Sequence, residues 1–201
     1  MPANVVARRY VLRLGAALAL FSLPALAELA PPAAPDAADP NKPSGDASSA
    51  QVLELEARPA AMLSGEAKWD DGFEVIGKAF AAINGEVAKA GLTASARPIT
   101  VFLQTDDNGF HYQAMVPLAS LPEGKDALGG DVKLGRTPPG KAIRFQHRAA
   151  YAEIDSTYEA ITAYLDEKGL EAQNLFIEEY LTEPKAADDD TLQVDIYVFV
   201  K

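Results

Sequence analysis

Cysteine is absent from the 201 residues, which excludes disulfides and thiol chemistry. Histidine occurs only twice, at His111 and His147, which is too few for a typical three-ligand zinc site without carboxylates. The sequence also contains no Gly-x-Ser-x-Gly segment and no phosphate-binding glycine loop. We therefore expect no metal site, no cofactor and no nucleophile–base pair of recognisable spacing.

Positive charge is also scarce. The chain has 18 Lys and Arg against 29 Asp and Glu, a net charge of −11. It shows no helix-turn-helix, basic helix or zinc pattern, and such a surface repels nucleic acid and attracts cationic molecules. The acidic run at 188–190 lacks the alternating spacing of a calcium loop and is typical of a solvated turn. We expect no nucleic-acid partner.

The N-terminus has the three parts of an export signal. Three arginines precede a short apolar run at 14–23, and the small-x-small sequence A-L-A at 25–27 follows it. The arginines are Arg8, Arg9 and Arg13. We predict a signal peptide at 1–27, cleaved after Ala27, which gives a periplasmic or secreted protein without a stable membrane anchor. The general secretory route is expected, and the Arg8-Arg9 pair leaves the twin-arginine route as the alternative.

Cleavage would leave 15 basic and 29 acidic residues, a net charge of −14. Residues 28–50 are rich in Pro, Ala, Asp and Ser and have no apolar period, which predicts a flexible linker. The remaining 51–201 is long enough for one globular domain.

The domain contains one pattern twice, at an offset of 78 residues. Ile76 falls on Ile154, and Gly91 falls on Gly169, so the agreement extends from the helix stripe through the glycine that stops each helix. The strands are predicted near 52–61, 99–105, 110–117, 141–147, 175–182 and 192–200, and the helices near 71–90 and 152–168. We predict an α+β fold of duplicated β-α-β-β units, in which an antiparallel sheet carries both helices on one face and a central ligand groove.

The stretch 176–184 offers the best candidate for a site. Strand alternation places Glu178 on one face with Phe176 and Tyr180, while Ile177 and Leu181 lie on the other. We expect the aliphatic face to pack on a helix and Glu178 to lie in the groove on the opposite side. Glu178 falls on Thr100 in the first copy, so the fold does not require its charge, which favours a role in ligand binding. The alternative is an edge strand whose acids face water.

Aromatic side chains could supply the walls of such a site. Alternation and the repeat add five aromatic residues to Glu178 as candidate site residues, with His111 as the alternative to Tyr112, although each aromatic by itself is more typical of the core. They are Tyr180, Trp69, Tyr112, Tyr151 and Tyr197.

Several segments together resemble the GyrI-like family, the effector-binding domain of multidrug-responsive activators of the AraC and MerR types, which also occurs as stand-alone proteins. The segments are H-R-A-A-Y at 147–151, Y-E-A-I-T-A-Y-L at 158–165, E-E-Y-L-T-E-P at 178–184 and the closing strand at 192–200. The resemblance implies that Glu178, with Tyr180, contacts cationic aromatic ligands. The usual glycine-proline before the tyrosine is Ala149-Ala150 here, and an export signal stands where a DNA-binding domain is frequent.

We therefore interpret the chain as an exported module that binds small, cationic or amphipathic aromatic molecules, and we favour binding over catalysis. Three alternatives remain open. The first is a hydrolase for small organic compounds that uses Glu178. The second is a haem-binding protein with His111 or His147 as the axial ligand. The third is a module that binds a protein partner.

Overall fold

The structure, a computed structural model, describes residues 46–183 and 185–201. The predicted signal peptide at 1–27 and residues 28–45 of the predicted linker lie outside the described residues. Residues 46–50, which the composition assigns to the linker, belong to the first strand.

Within the described residues the chain forms eight strands and two α-helices. Their bounds are β1 Asp46–Leu55, β2 Pro59–Ala67, α1 Gly72–Lys89, β3 Ile99–Asp106, β4 Gly109–Pro117, β5 Lys133–Arg136, β6 Gly140–Arg148, α2 Ile154–Lys168, β7 Ala172–Tyr180 and β8 Gln193–Val200. A short 3-10 turn precedes each helix, at Trp69–Asp71 and at Tyr151–Glu153.

The strands form one antiparallel sheet in the order β1-β6-β8-β7-β3-β4-β2-β5. The order strand–helix–strand–strand occurs twice, as β2-α1-β3-β4 and as β6-α2-β7-β8. Strands β3 and β7 join the halves at the sheet centre, where Thr100 pairs with Glu178. The predicted α+β fold is confirmed.

Each helix buries one stripe of side chains at helical spacing, as predicted. The stripe of α1 consists of Ile76, Phe80, Ile83 and Val87, and that of α2 of Ile154, Tyr158, Ile161 and Leu165. Gly91 and Gly169 have φ angles of 67° and 62°, which are left-handed values that favour glycine. The amide of the residue after each glycine donates to a helical carbonyl, from Leu92 to Val87 at 3.0 Å and from Leu170 to Leu165 at 2.9 Å.

Both faces of the sheet are covered by apolar side chains. One layer packs under the two helices and includes Phe102, Phe176 and Val198. The other layer contains Ile99, Ile177 and Phe199 on the face away from the helices. A central strand such as β7 is therefore buried on both sides.

The prediction of one strand near 52–61 is wrong. The chain leaves β1 at Leu55 and re-enters the sheet at Pro59, at the position between β4 and β5. Pro59 lacks an amide hydrogen and is tolerated here as the first residue of a strand. The short β5, which pairs with β2, was not predicted, because its four residues carry no apolar alternation.

Candidate functional site

Glu178 lies in the middle of the sheet and points toward the helices. Its neighbours across the ladder are Thr100 on β3 and Ile196 on β8, and its side chain is 0% exposed. A carboxylate at such a position needs hydrogen-bond donors, because leaving it unpaired would cost several kcal/mol.

Three tyrosine hydroxyls supply those donors. Tyr158 on α2 donates to Oε1 at 2.9 Å, and Tyr180 on β7 donates to Oε2 at 2.8 Å. Tyr151, from the 3-10 turn before α2, donates a longer bond to Oε2 at 3.4 Å. Among the ion pairs of the described residues, none involves Glu178. The carboxylate is therefore held by three phenols, and no cation from the described part of the chain pairs with it.

The phenol of Tyr180 is held in its protonated form. Burial raises its pKa well above the ordinary value, and the negative charge of Glu178 adds to the rise. Tyr180 can therefore donate to Glu178 throughout the physiological pH range.

A cavity of about 440 Å³ opens beside this cluster. Tyr151 and Tyr180 line it from the Glu178 side, and Phe73 and Phe80 line it from α1. Phe73 stacks at a tilt on Tyr151 with ring centroids 5.4 Å apart, and Phe80 meets Tyr180 edge-on at 5.5 Å. The cavity has aromatic walls and a volume in the range of small-molecule pockets.

The side of the sheet predicted for Glu178 is wrong. Glu178, Phe176 and Tyr180 pair with β8 residues that lie under the helices, so the cavity is on the helix-covered side of the sheet, beside α1, and not on the far side. Ile177 packs instead into the second apolar layer. Two aliphatic residues cannot identify the helix-covered face of a strand that is buried on both faces.

Of the six predicted site residues, Tyr151 and Tyr180 line the cavity, and Glu178 lies behind them, fully buried and hydrogen-bonded to both of their hydroxyls. Tyr112 is on the helix-covered face but buried at β4, where its ring lies against Gly65. Trp69 packs on Phe110 with centroids 4.8 Å apart and donates its indole N–H to the carbonyl of Asp106 at 2.9 Å. Neither of these two lines the cavity.

Tyr197 belongs to the opposite face of the sheet. Its hydroxyl donates to Glu179 Oε2 at 2.6 Å, and both residues line a separate cavity of about 240 Å³. Burial and the bond to Glu179 raise the pKa of Tyr197 above its ordinary value. It cannot contribute to the Glu178 site.

Tyr158, Phe73 and Phe80 were not among the candidate site residues identified from the sequence. A signal for Tyr158 was available, because it is the one aromatic residue among the buried side chains of α2 and its hydroxyl is polar. A buried tyrosine hydroxyl needs a polar partner, and the nearby acid on β7 meets that need.

Neither histidine lines the cavity. His147 is buried, with Nδ1 2.8 Å from the Thr157 hydroxyl and Nε2 3.0 Å from the Ala150 carbonyl. Burial lowers the pKa of His147, so the ring is neutral and Nε2 carries the proton that the carbonyl accepts. His111 is exposed on β4, 3.9 Å from Glu66. This arrangement does not offer an axial ligand to a haem in the cavity.

The described part of the chain contains no group of three or more His, Asp or Glu side chains arranged to hold a metal ion. Over those same residues, neither helix has the length and apolar character needed to cross a membrane.

The sequence model of the GyrI-like small molecule binding domain matches residues 50–201. A search of curated proteins finds no match. Among solved structures, the C-terminal domain of EcmrR aligns with a TM-score of 0.63 at 16% identity, covering 76% of this chain and 96% of that domain. In the EcmrR–DNA complex the same alignment spans 57% of the longer EcmrR chain.

Two further solved structures share the fold. One is described as a hydrolase from Listeria innocua, with a TM-score of 0.52 and 16% identity, covering 76% of this chain and 91% of that one. The other is SAV2435 bound to tetraphenylphosphonium, with a TM-score of 0.52 and 13% identity, covering 76% of this chain and 93% of that one.

Proposed function

Because this chain belongs to the GyrI-like family of small-molecule-binding domains, we propose that it binds amphipathic aromatic cations in the cavity beside Glu178. The observation that carries the proposal is a fully buried carboxylate next to an aromatic cavity of about 440 Å³; three phenols hold it, and it forms no ion pair with any residue at 46–183 or 185–201. A bound cation would supply the missing positive charge.

The tyrosines serve two roles in this proposal. Their hydroxyls hold the Glu178 carboxyl group in one orientation, and the rings of Tyr151 and Tyr180 offer flat, electron-rich faces to the ligand. A cation over such a ring gains about 0.5–2 kcal/mol, depending on how far it is desolvated. The tetraphenylphosphonium carried by SAV2435, a protein of the same fold, has the chemistry that this cavity favours.

The test compares two acids that are adjacent in sequence and face opposite sides of the sheet. Tetraphenylphosphonium is titrated into wild type, Glu178→Gln and Glu179→Gln, and triphenylphosphine oxide serves as a neutral aromatic control. We expect Glu178→Gln to weaken cation binding by at least about tenfold, because it removes the counter-charge, while Glu179→Gln and the neutral compound show no such effect. Equal affinity of wild type and Glu178→Gln for the cation would refute the proposal.

A hydrolase is the competing function, and one protein of this fold is described as such. The site favours binding, because both oxygens of Glu178 are engaged by hydroxyls and the residue is fully buried, so an attacking water has no place beside it. Turnover of a strained-ring or ester compound by wild type, lost in Glu178→Gln, would establish the hydrolase instead.

We also propose that the protein acts outside the cytoplasm and without contacting DNA. The support is the export pattern at 1–27 and the net charge of −14 after its removal, which leaves 15 basic and 29 acidic residues. N-terminal sequencing of the protein from periplasmic and culture fractions should find Glu28 as the first residue. Full-length protein confined to the cytoplasm would contradict this proposal.

A further inference from the structure

The mouth of the cavity carries a positive charge. Arg97 lines the cavity at its exposed edge, together with Asn84 from α1 and Glu183 from the segment after β7. Among the lining residues that the structure describes, Arg97 is the one cationic side chain, in a chain that has far more acids than bases. A site that binds only simple cations would gain nothing from an arginine there.

The position of Arg97 relative to Glu178 is fixed by the sheet. Thr100 pairs with Glu178 across β3 and β7, and the Pro98 carbonyl accepts the amide of Tyr180 at 3.0 Å. Arg97 is the residue before Pro98 and is three positions from Thr100. Three extended residues span at most roughly 10 Å, so one small molecule in the cavity can contact both Arg97 and the ring of Tyr180, which covers the buried carboxylate.

The guanidinium of Arg97 is also available for an ion pair with a ligand. It makes no ion pair with any residue that the structure describes, although the exposed Glu183 lines the same cavity. The Asn84 amide on the facing helix is exposed and can donate a further hydrogen bond. A guanidinium and an amide at one opening together form a receptor for a carboxylate, which arginine binds in a two-pronged geometry.

We propose that the ligand is a zwitterion, with an aromatic cation at the Glu178 end and a carboxylate roughly 10 Å or less away at Arg97. Arg97 is then the residue that selects zwitterions over simple cations of the same size. This inference rests on the proposed function, because it assumes that the cationic end occupies the cavity.

The test uses two probes that differ only in the outer charge. One is an aryl quaternary ammonium with a carboxylate on a short alkyl chain, and the other is the methyl ester of the same compound. Both are titrated into wild type, Arg97→Gln, Arg97→Lys, Glu183→Gln and Glu178→Gln. The exposed side chains Arg97 and Glu183 can be changed without removing a buried contact, which keeps the comparison free of folding effects.

Wild type should bind the acid roughly threefold to tenfold more tightly than the ester, the range expected for a charge pair at a partly exposed edge. Arg97→Gln should abolish this preference, Arg97→Lys should keep part of it, and Glu183→Gln should preserve or increase it. A preference that survives in Arg97→Gln, or one that is absent from wild type, overturns the inference.

The experiment distinguishes a failure of the zwitterion inference from a failure of the proposed cation site. If the ester binds in a Glu178-dependent way but the acid binds no better, the cation site stands and the role of Arg97 is refuted. If neither probe binds, or if Glu178→Gln changes nothing, the inference fails together with the proposed function.

Discussion

The two oxygens of Glu178 have different neighbours, and this decides what each tyrosine contributes. Oε1 accepts one hydrogen bond, from Tyr158 at 2.9 Å, while Oε2 accepts from both Tyr180 and Tyr151. Loss of the Tyr158 hydroxyl would therefore leave Oε1 without a donor in a fully buried setting. Loss of Tyr151 would remove only the longer of two bonds to Oε2.

Tyr158→Phe should lower the free energy of unfolding by about 1–2 kcal/mol, the cost of leaving a buried acceptor unsatisfied. Urea denaturation checks this. The matched control is Tyr164→Phe on the same helix, because Tyr164 is half-buried and makes ring contacts with Phe145 and Lys168 but no hydroxyl bond to a described residue. Equal stability of the two variants would mean that the Tyr158 bond contributes little.

His147 links stability to pH. Burial lowers its pKa from the ordinary value of 6.5, and the nearby charges of Glu178 and Glu153 only partly oppose this. Below about pH 6.5 the unfolded chain takes up a proton that the folded protein does not, so this contribution to stability is complete above that pH and is lost as the pH falls.

The free energy of unfolding, measured from pH 7.5 to 5, should fall by up to about 1.4 kcal/mol per pH unit from this one group. His147→Gln should remove that part of the slope, while His111→Gln, which keeps His147, should retain it. A slope that His147→Gln leaves unchanged would show that another group is responsible.

At the scale of elements, the helices were the most predictable part of the chain. A repeating apolar stripe and a terminal glycine identify α1 and α2 to within two residues, because both signals are local. The break between β1 and β2 and the short β5 depend on pairing with strands that are distant in sequence. A local sequence pattern cannot predict such pairing. Glu178 was predicted on the wrong face of the sheet for the same reason, because Ile177, on the opposite face of β7, packs against residues distant in sequence.

Gly169 and Gly85 differ in whether the backbone conformation at the position requires glycine. Gly169 has a φ of 62° and open space where the methyl group of an alanine would lie, so Gly169→Ala should cost about 1 kcal/mol through backbone strain alone. Gly85 lies within α1 with equally open surroundings, and Gly85→Ala should stabilise by roughly 0.5–1 kcal/mol. Melting temperatures should therefore move in opposite directions, and a shift in the same direction for both would contradict this account.

At the scale of the whole molecule, the site lies where the two halves meet. The β3–β7 ladder is centred on Thr100 and Glu178, with Ile99 opposite Glu179 and Val101 opposite Ile177. The sequence predicted Glu178 and Tyr180 as a pair, because they are two residues apart on one strand. It could not predict that Tyr151, Tyr158 and Phe80 join them, because the packing of both helices brings these residues there. The sequence repeat at an offset of 78 residues remains a prediction. The pairing of Thr100 with Glu178, which are 78 residues apart, supports it.

In the proposed function, the ligand occupies the cavity between α1 and the Glu178 cluster. The most direct test is a crystal structure of the protein with tetraphenylphosphonium. We predict that the phosphonium lies against the rings of Tyr151 and Tyr180 in the cavity of about 440 Å³. A cation found instead in the cavity beside Tyr197 and Glu179, on the other face of the sheet, would contradict the account.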